Sequence, residues 1–387
     1  MLKTPKIFMP FKGIYYLTFI VLISSIATSM LMPIFPLYIK SFVSSNALVG
    51  YVSAFVGVLL VVYSFLIPKL FIKIKKLTLV KVGFLGLAIT QIIFTVLVNI
   101  KQFLILEIIR TFFLLSTYLA IGLFVREYSS RSTMGKAEGQ YFTISNFGWL
   151  IGPLLGGLLA TAYSFDIVFI FSAVPQLLLA IILFFIPLKE GPTHDNHKIN
   201  LFDYLKHKDL LVLYLLSFGL FAWWNIIYTY LPLYANASGF SPNTIGFAMF
   251  LSAIPLILLE IPIGKLADGH GFRKYIFTGF IIIAVITLFS NLISPFYKIM
   301  LISLATIGAA FIEPLLETYF FKHLRSKEDE HKFYPIYKSS SHLSNIIAPL
   351  IYSTILIYFD FKGLFIFVPI FMLFFAFIAL KLKRWNL

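Results

Sequence analysis

The 387-residue sequence has no cysteine, and only 12% of its residues are charged. The first absence excludes disulfide bonds, thiol catalysis and thiolate metal sites, although it does not assign a compartment. The low proportion of charged residues distinguishes the chain from soluble globular proteins, in which about 25% of residues are charged. No glycine-rich phosphate loop of the Walker type occurs, and the seven histidines are scattered. We therefore expect a protein that is not an enzyme and that uses no metal and no cofactor.

Long apolar segments dominate what is present, since hydrophobic residues make up 60% of the chain. A membrane-spanning helix needs about 20 predominantly apolar residues. Segments of this kind predict an all-α integral membrane protein with twelve transmembrane helices (spans 1 to 12). Their predicted ranges are 13–37, 47–68, 80–99, 103–124, 139–161, 166–187, 210–234, 244–263, 275–294, 298–321, 334–358 and 363–381.

The net charge of +15 is distributed in a way that indicates membrane orientation rather than nucleic-acid binding. With the N-terminus inside, Lys40, Lys101, Lys298 and Lys362 fall outside and Arg110 falls within a span, while every other Lys and Arg is cytoplasmic. Cytoplasmic loops carry the excess of basic residues in membrane proteins. We therefore predict a multi-pass protein of the cell (plasma or inner) membrane with both termini cytoplasmic, and membrane lipids as partners.

An internal repeat divides the chain into two halves. A shift of 196 residues places Gly50 on Gly246 and Pro153 on Pro349 without gaps. Six spans in each half give both halves the same orientation, so the repeats are parallel, an arrangement associated with transporters. The predicted domains are an N-terminal six-helix bundle at 1–187, a cytoplasmic linker at 188–209 and a C-terminal six-helix bundle at 210–387.

The segment "GKLADGHGFRK" at 264–274 resembles the loop signature of the major facilitator superfamily. Gly269 and Phe272 replace two basic positions of that signature, and Ile72 replaces the aspartate in the equivalent loop of the first half. In the family the aspartate caps the following helix and pairs with basic groups. The resemblance thus implies a latch in the second half. The positions that fit are Gly264, Leu266, Asp268, Gly271 and Arg273.

The segment "GQYFTISNFGWLIGPLLGG" resembles the antiporter motif on span 5 of the same superfamily, which is associated with drug and metabolite proton antiporters (the efflux branch). Glycines at every fourth position give one smooth helix face that allows close helix contact, and a proline permits a kink. Tight packing without any role in export is the alternative interpretation. The motif residues are Gly139, Gly148, Gly152, Pro153, Gly156 and Gly157.

Charged residues within spans are costly and usually functional. On span 4, Arg110 resembles the arginine that the superfamily associates with proton transfer, and Glu107 lies three residues earlier on the same helix face. These two residues are candidates for proton coupling. The alternative is an internal ion pair.

Spans 10 and 11 carry a second set of charges. Glu313 and Glu317 share one face of span 10, and Lys338 and His342 share one face of span 11. Folding the hairpin at its midpoint sets Glu317 level with Lys338 and Glu313 level with His342. Burial favours a protonated carboxyl, and histidine titrates near neutrality. We therefore predict that Glu313 and His342 couple transport to protons and that Glu317 and Lys338 form a gate. A structural salt bridge is the alternative.

The remaining candidates are one further acid and a group of polar and aromatic side chains. Glu260 precedes the Asp268 loop and is expected to support the latch rather than to bind a substrate or a proton. Span 1 has hydroxyls but lacks the acid that many proton-driven exporters of this family carry there, which weakens the assignment of proton antiport. Candidates for a substrate cavity are Trp223, Trp224, Asn225, Ser25, Thr28 and Asn146.

The resemblance implies a monomeric secondary transporter that exports small amphipathic molecules in exchange for protons, by rocker-switch alternating access. Spans 1, 4, 7 and 10 would line its cavity, and span 12 would face lipid. A sugar or metabolite exporter, or a lipid flippase, is the alternative within the same fold. A receptor without turnover and a membrane enzyme are the alternatives from other classes.

Overall fold

A computed structural model describes residues 12–127, 134–185, 190, 201–324 and 327–383. These residues form helices joined by short turns, with no strand among them. The helices of the first half are Lys12–Ser29 and Phe35–Phe42 (span 1), Asn46–Lys73 (span 2), Lys76–Phe94 (span 3), Ile100–Glu127 (span 4), Met134–Ala162 (span 5) and Phe165–Phe185 (span 6).

The second half begins after the short helix Leu201–Lys206, which is called the linker helix below. Span 7 combines two α-helices with one π-helix, and span 10 is broken at one residue. The segments are Lys208–Asn225, Ile226–Tyr230 (π) and Leu231–Ala237 (span 7), Pro242–His270 (span 8), Phe272–Phe289 (span 9), Pro295–Leu304 and Thr306–His323 (span 10), and Lys327–Ala379 (spans 11 and 12).

Ten helices of the described residues are long and apolar enough to cross a membrane. The difference from twelve has two causes. Span 1 is divided by a turn at residues 30–34, which contains Pro33. Spans 11 and 12 form one helical run that is interrupted at Asp360, where φ is 51° and ψ is −166°. Counting these segments separately confirms the predicted fold of twelve spans in an all-α membrane protein.

Contacts between the halves lie where spans 2 and 11 meet and where spans 5 and 8 meet. A Cβ atom built on Gly50 would lie 2.0 Å from Ser353 Oγ, and one built on Gly246 would lie 3.1 Å from the Cα of Gly157. The 196-residue shift relates these two contacts to each other, because it carries Gly50 to Gly246 and Gly157 to position 353. Both contacts lie towards the predicted outer end, which the two halves therefore close symmetrically.

Smaller polar contacts support the same closure. The Tyr51 and Thr354 hydroxyls lie 3.3 Å apart, and the backbone N–H of Asn243 donates to Thr161 Oγ1 over 2.8 Å. Each joins one half to the other near the predicted outer end.

The glycine stripe of span 5 packs mainly inside its own half. Cβ atoms built on Gly148, Gly152 and Gly156 would lie within 2.4 Å of atoms of span 1, and the Ser29 hydroxyl donates to the Gly148 carbonyl over 2.8 Å. Gly157, one residue further, faces span 8 instead. The stripe therefore fixes span 5 against span 1, and its last glycine makes the contact between the halves. Gly139 lies in the same helix, near its start.

Span 12 exposes one face. Ile366, Ile370, Phe374 and Phe377 follow helical spacing and are all exposed. The opposite face packs on spans 7 and 9, where a Cβ on Gly219 would meet the ring of Phe375. An apolar exposed face of this kind suits contact with lipid.

Candidate functional site

Span 10 positions its two acids on one face, because Glu313 and Glu317 are one helical turn apart. The pairing predicted for Glu317 and Lys338 is confirmed, since Lys338 Nζ lies 3.0 Å from Glu317 Oε1. The Tyr334 hydroxyl, also on span 11, donates to the same oxygen over 2.5 Å. Glu317 is therefore held at the junction of spans 10 and 11 by a cation and a phenol.

The pairing predicted for Glu313 and His342 is wrong. Glu313 Oε2 and His342 Nδ1 are both buried without a hydrogen-bond partner, and no ion pair joins the two residues within the described part of the chain. The register of the hairpin therefore does not bring these two atoms together. A buried carboxylate oxygen without a partner is costly in an apolar environment, so it marks a place where a proton or a ligand would stabilise the site.

Side chains from spans 7 and 8 lie close to Glu313. Trp224 lies near its carboxyl, and Glu260 and Tyr228 interact with it electrostatically. Tyr228 stacks on Trp224 with ring centroids 5.3 Å apart and an interplanar angle of 15°. Glu260 therefore interacts with Glu313, and its predicted support of the Asp268 latch stays a prediction.

Trp149 on span 5 completes this group from the other half, with its ring centroid 5.7 Å from that of Tyr228. Sequence reasoning missed Trp149 and Tyr228, because aromatic side chains are common in every span and only the fold shows which of them are in contact. The five side chains are called the central cluster below: Trp149, Trp224, Tyr228, Glu260 and Glu313.

The neighbouring candidates on span 7 have other partners. Trp223 is fully buried within the core, and its Nε1 has no hydrogen-bond partner. Asn225 Nδ2 donates to Asn345 Oδ1 over 3.0 Å and to the Phe221 carbonyl over 2.9 Å. Asn225 thus joins span 7 to span 11, immediately before the π-helix begins.

The span 1 candidates face their own half. Ser25 Oγ lies 3.1 Å from Ser145 Oγ on span 5, and Gln176 Nε2 on span 6 lies 3.4 Å from Thr28 Oγ1. Asn146 is half-buried on span 5. The hydroxyls of span 1 therefore connect helices of the first half, and none of these contacts reaches the central cluster.

Glu107 and Arg110 form a closed ion pair within span 4. Arg110 Nε and Nη2 donate to the two carboxylate oxygens over 2.7 and 2.6 Å, and the Thr111 hydroxyl donates to Oε1 over 3.1 Å. The guanidinium lies over the Phe35 ring, with 4.6 Å between its Cζ and the ring centroid. Because Glu107 is fully buried and both of its oxygens are occupied, the geometry favours the ion-pair interpretation.

Asp268 lies in the last turns of span 8 and contacts a different helix from the one expected. Its Oδ1 lies 2.6 Å from Nζ of Lys322 on span 10, and both side chains are about half exposed. Span 9 is preceded instead by Gly271, at φ 85°, with no side-chain cap. In this structure, whose outer end is closed, Asp268 therefore pairs with span 10; its contacts in an outward-open state stay a prediction. Arg273 is half-buried in the first turn of span 9.

The first half has a substitute for the aspartate that Ile72 replaces. The two carboxylate oxygens of Glu190 accept hydrogen bonds from the backbone N–H groups of Lys76 and Leu77, each over 3.1 Å. An anion at a helix N-terminus satisfies free N–H groups and is stabilised by the helix dipole. Lys76 also pairs with Glu127 of span 4. Glu190 lies far from this loop in the sequence, so local motif reasoning missed it.

The linker helix is attached to the second half. Asp203 lies 2.7 Å from Lys332 Nζ and 3.2 Å from Lys206 Nζ, and these two cations hold the pKa of its carboxyl below the usual value. Tyr204 is buried against the Phe333 ring. The linker helix is thus connected to the start of span 11.

Lys298 lies in the first turn of span 10, as its predicted range 298–321 implies, and is almost fully buried. It donates to Asn291 Oδ1 over 2.8 Å and lies over the Phe365 ring. Among the residues that the structure describes, no group of three or more side chains is arranged to hold a metal ion.

Comparison with known proteins agrees with this architecture. A sequence model of the Major Facilitator Superfamily matches residues 17–242 and again residues 213–384. Multidrug resistance protein 2 of Bacillus subtilis is 22% identical over 307 residues, which are 74% of this chain and 75% of that protein. An uncharacterized MFS-type transporter of Methanocaldococcus jannaschii is 25% identical over 191 residues, which are 47% of this chain and 50% of that protein. This match therefore spans about half of the relative.

Solved structures are similar in fold. The nucleoside transporter NupG superposes with a TM-score of 0.78 at 14% identity, covering 97% of this chain and all of that one. A bacterial homologue of the human lysosomal transporter Spinster superposes with a TM-score of 0.77 at 12% identity. That structure is in an inward-facing and unoccupied conformation, and the superposition covers 97% of this chain and 98% of that one. With the family model matched over nearly the whole sequence, the chain belongs to the Major Facilitator Superfamily and is a membrane transporter.

Proposed function

We propose that this transporter exports small amphipathic molecules in exchange for protons, by alternating access between its two halves. The observation that carries the proposal is the buried carboxylate of Glu313, whose Oε2 has no partner. Bringing a proton to this oxygen removes a buried charge, so the empty and the protonated site differ strongly in stability. The aromatic rings of the central cluster provide an apolar surface beside it.

The relatives support the direction of transport in this proposal. One relative is named a multidrug resistance protein, and the glycines and proline of span 5 resemble the motif of efflux antiporters. The proposed path runs between the halves 1–187 and 210–387, with 188–209 as the cytoplasmic linker. We further propose a monomer in the cell membrane with cytoplasmic termini.

The two acids of span 10 would have different roles in this mechanism. Glu317 already has a cation and a phenol as partners, so it is suited to hold spans 10 and 11 together at a gate. Glu313 has the unpartnered oxygen, so it is suited to load and release the proton. His342, with an unpartnered Nδ1, would serve as a second proton site.

Transport in proteoliposomes tests the assignment of Glu313. With an imposed pH gradient and ethidium as substrate, Glu313→Gln should abolish gradient-driven transport, because the amide cannot bind the proton. Exchange of substrate without a gradient should remain. Asp166→Asn is the control, since it removes an exposed carboxyl in the first turn of span 6.

Two outcomes would contradict the assignment in different ways. Loss of both activities in Glu313→Gln would mean that Glu313 binds the substrate rather than the coupling proton. Undiminished gradient-driven transport would place the proton site elsewhere, with the Glu107–Arg110 pair as the next candidate. A panel that includes sugars, nucleosides and lipids in the same vesicles distinguishes multidrug export from export of a metabolite or lipid.

A further inference from the structure

The connection between spans 2 and 3 is strongly basic and contains no acid. Residues 69–75 read KLFIKIK, with three lysines and a net charge of +3. The 196-residue shift places this segment on 265–271, KLADGHG, whose one lysine and one aspartate cancel. Lys73 and Lys75 occupy positions that hold glycine in the second half. The basic charge is therefore a feature of the first half alone.

The three lysines of this segment have no protein anion as a partner. All three are exposed, and none of the ion pairs among the described residues includes them. The acids at this end of the first half have other partners. Glu127 pairs with Lys76, and Glu190 accepts hydrogen bonds from the backbone at the start of span 3. The segment thus presents positive charge that the described part of the chain leaves uncompensated.

An exposed apolar stripe of span 2 leads directly to these lysines. Its members recur at intervals of four and three residues, which places them on one helix face, and all are exposed: Val58, Val62, Phe65, Lys69 and Ile72. From Val58 to Lys69 the helix rises by about 16 Å. The hydrocarbon of one leaflet is about 15 Å thick, half of the bilayer value. The stripe therefore has the length of one acyl chain and ends at a cation.

Two isoleucines alternate with the lysines at this end of the stripe. Ile72 is 60% exposed and Ile74 is 38% exposed. The equivalent positions in the second half are both polar, since they hold Asp268, which pairs with Lys322, and His270. Exposed isoleucine is unfavourable in water, whereas lysine can lay its stem along apolar surface and keep its ammonium among polar groups. The first-half segment is therefore suited to the boundary between hydrocarbon and headgroups.

We propose that residues 69–75 and the stripe of span 2 bind an anionic phospholipid of the predicted cytoplasmic leaflet. Its phosphate contacts Lys69, Lys73 and Lys75, and one acyl chain lies along the stripe. A soluble phosphate would use the lysines and leave the apolar stripe uncovered, so the surface fits a lipid better than a free anion. The inference goes beyond the proposed function and depends neither on the substrate nor on the coupling proton.

Native mass spectrometry of the delipidated full-length protein tests this site, with phosphatidylglycerol and phosphatidylcholine as probes. The unsubstituted protein should bind phosphatidylglycerol more tightly. Each lysine beside an anionic lipid contributes about 5-fold to the binding constant, so Lys73→Gln with Lys75→Gln should raise the Kd for phosphatidylglycerol about 25-fold. Binding of phosphatidylcholine should stay unchanged, which also shows that the variant is folded. Lys73→Arg with Lys75→Arg keeps both charges and should retain the affinity.

The second half supplies the matched control. Lys265→Gln with Lys274→Gln also removes two exposed lysines, at and just after the equivalent segment, and should leave the Kd for phosphatidylglycerol nearly unchanged. An equal rise in this control would overturn the inference, because general basic charge would then explain the binding. Equal affinity of the unsubstituted protein for both lipids would overturn it as well.

Competition with glycerol 3-phosphate separates a lipid site from a site for a soluble anion. This headgroup fragment has no acyl chain, so an excess of it should leave phosphatidylglycerol bound. Displacement of the lipid by the fragment would overturn the role of the stripe. None of these outcomes bears on the assignment of Glu313, which depends on transport driven by a pH gradient.

Discussion

The contact of Gly246 with span 5 gives the sharpest prediction about the conformational equilibrium. A Cβ atom built on Gly246 would lie 2.3 Å from the Pro153 carbonyl oxygen and 3.1 Å from the Cα of Gly157. Both are backbone atoms, so no side-chain rotamer change can relieve the clash. Since favourable contacts of a carbon atom begin near 3.5 Å, Gly246→Ala requires spans 5 and 8 to separate by about 1 Å. The substitution should therefore destabilise the state in which the outer end is closed.

The size of the effect follows from overpacking. Added methyl groups in a close-packed contact cost about 1–3 kcal/mol, which shifts the equilibrium away from the closed outer end by about 5- to 150-fold. Alanine also stabilises a helix by about 1 kcal/mol relative to glycine. Gly264→Ala on the same span controls for this gain, because a Cβ there meets nothing within 4 Å.

Spin labels can measure this shift directly, because the chain has no cysteine that would react in the background. Nitroxides on Ser44→Cys and Phe359→Cys report the separation of the halves at the predicted outer end, since both positions are exposed. Double electron–electron resonance should show a new population at longer distance in Gly246→Ala. A distance distribution identical to that of Gly264→Ala would refute the reasoning.

Three further predictions concern ion pairs. Glu107→Gln should lower the melting temperature strongly, since breaking a buried pair costs about 3–5 kcal/mol, and the double change of Glu107 and Arg110 to Leu should recover most of the loss. Asp268→Asn should slow transport more than it weakens substrate binding, and a normal transport rate would exclude a latch with Lys322. For Asp203, the folded pKa is lowered, so its contribution to stability is present above the unfolded value of about 3.9 and is lost as the pH falls through the folded value. Melting curves of Asp203→Asn and the unsubstituted protein should accordingly differ at pH 6 and converge in strong acid.

The features predicted from sequence are those that hydropathy and periodicity control. Twelve spans follow from the length of the apolar segments, and the 196-residue repeat relates the contacts at Gly50 and Gly246 to each other. The register of one hairpin was enough to pair Glu317 with Lys338, because both helices start from the same turn.

Side-chain pairs between segments that are far apart in the sequence could not be predicted from hydropathy and periodicity. Asp268 pairs with Lys322, two spans further along the chain, and Glu190, which follows span 6, caps the start of span 3. Glu313 Oε2 and His342 Nδ1 are both left without a partner, although the register of the same hairpin predicted that these residues would be level. The meeting of Trp149 and Tyr228 depends on how the two halves pack, which no local pattern encodes.

The connection at Asp360 has a mechanical consequence for the whole second half. Spans 11 and 12 are joined through one non-helical residue, so no flexible loop separates the two helices. Span 11 carries Ser353 at the contact with the first half, and span 12 carries the exposed face that includes Ile370 and Phe374. The tilt of a lipid-facing helix depends on the thickness of the hydrocarbon layer. Membrane thickness should therefore change the equilibrium between the open and the closed outer end. Transport rates in vesicles of different acyl-chain length would measure that dependence.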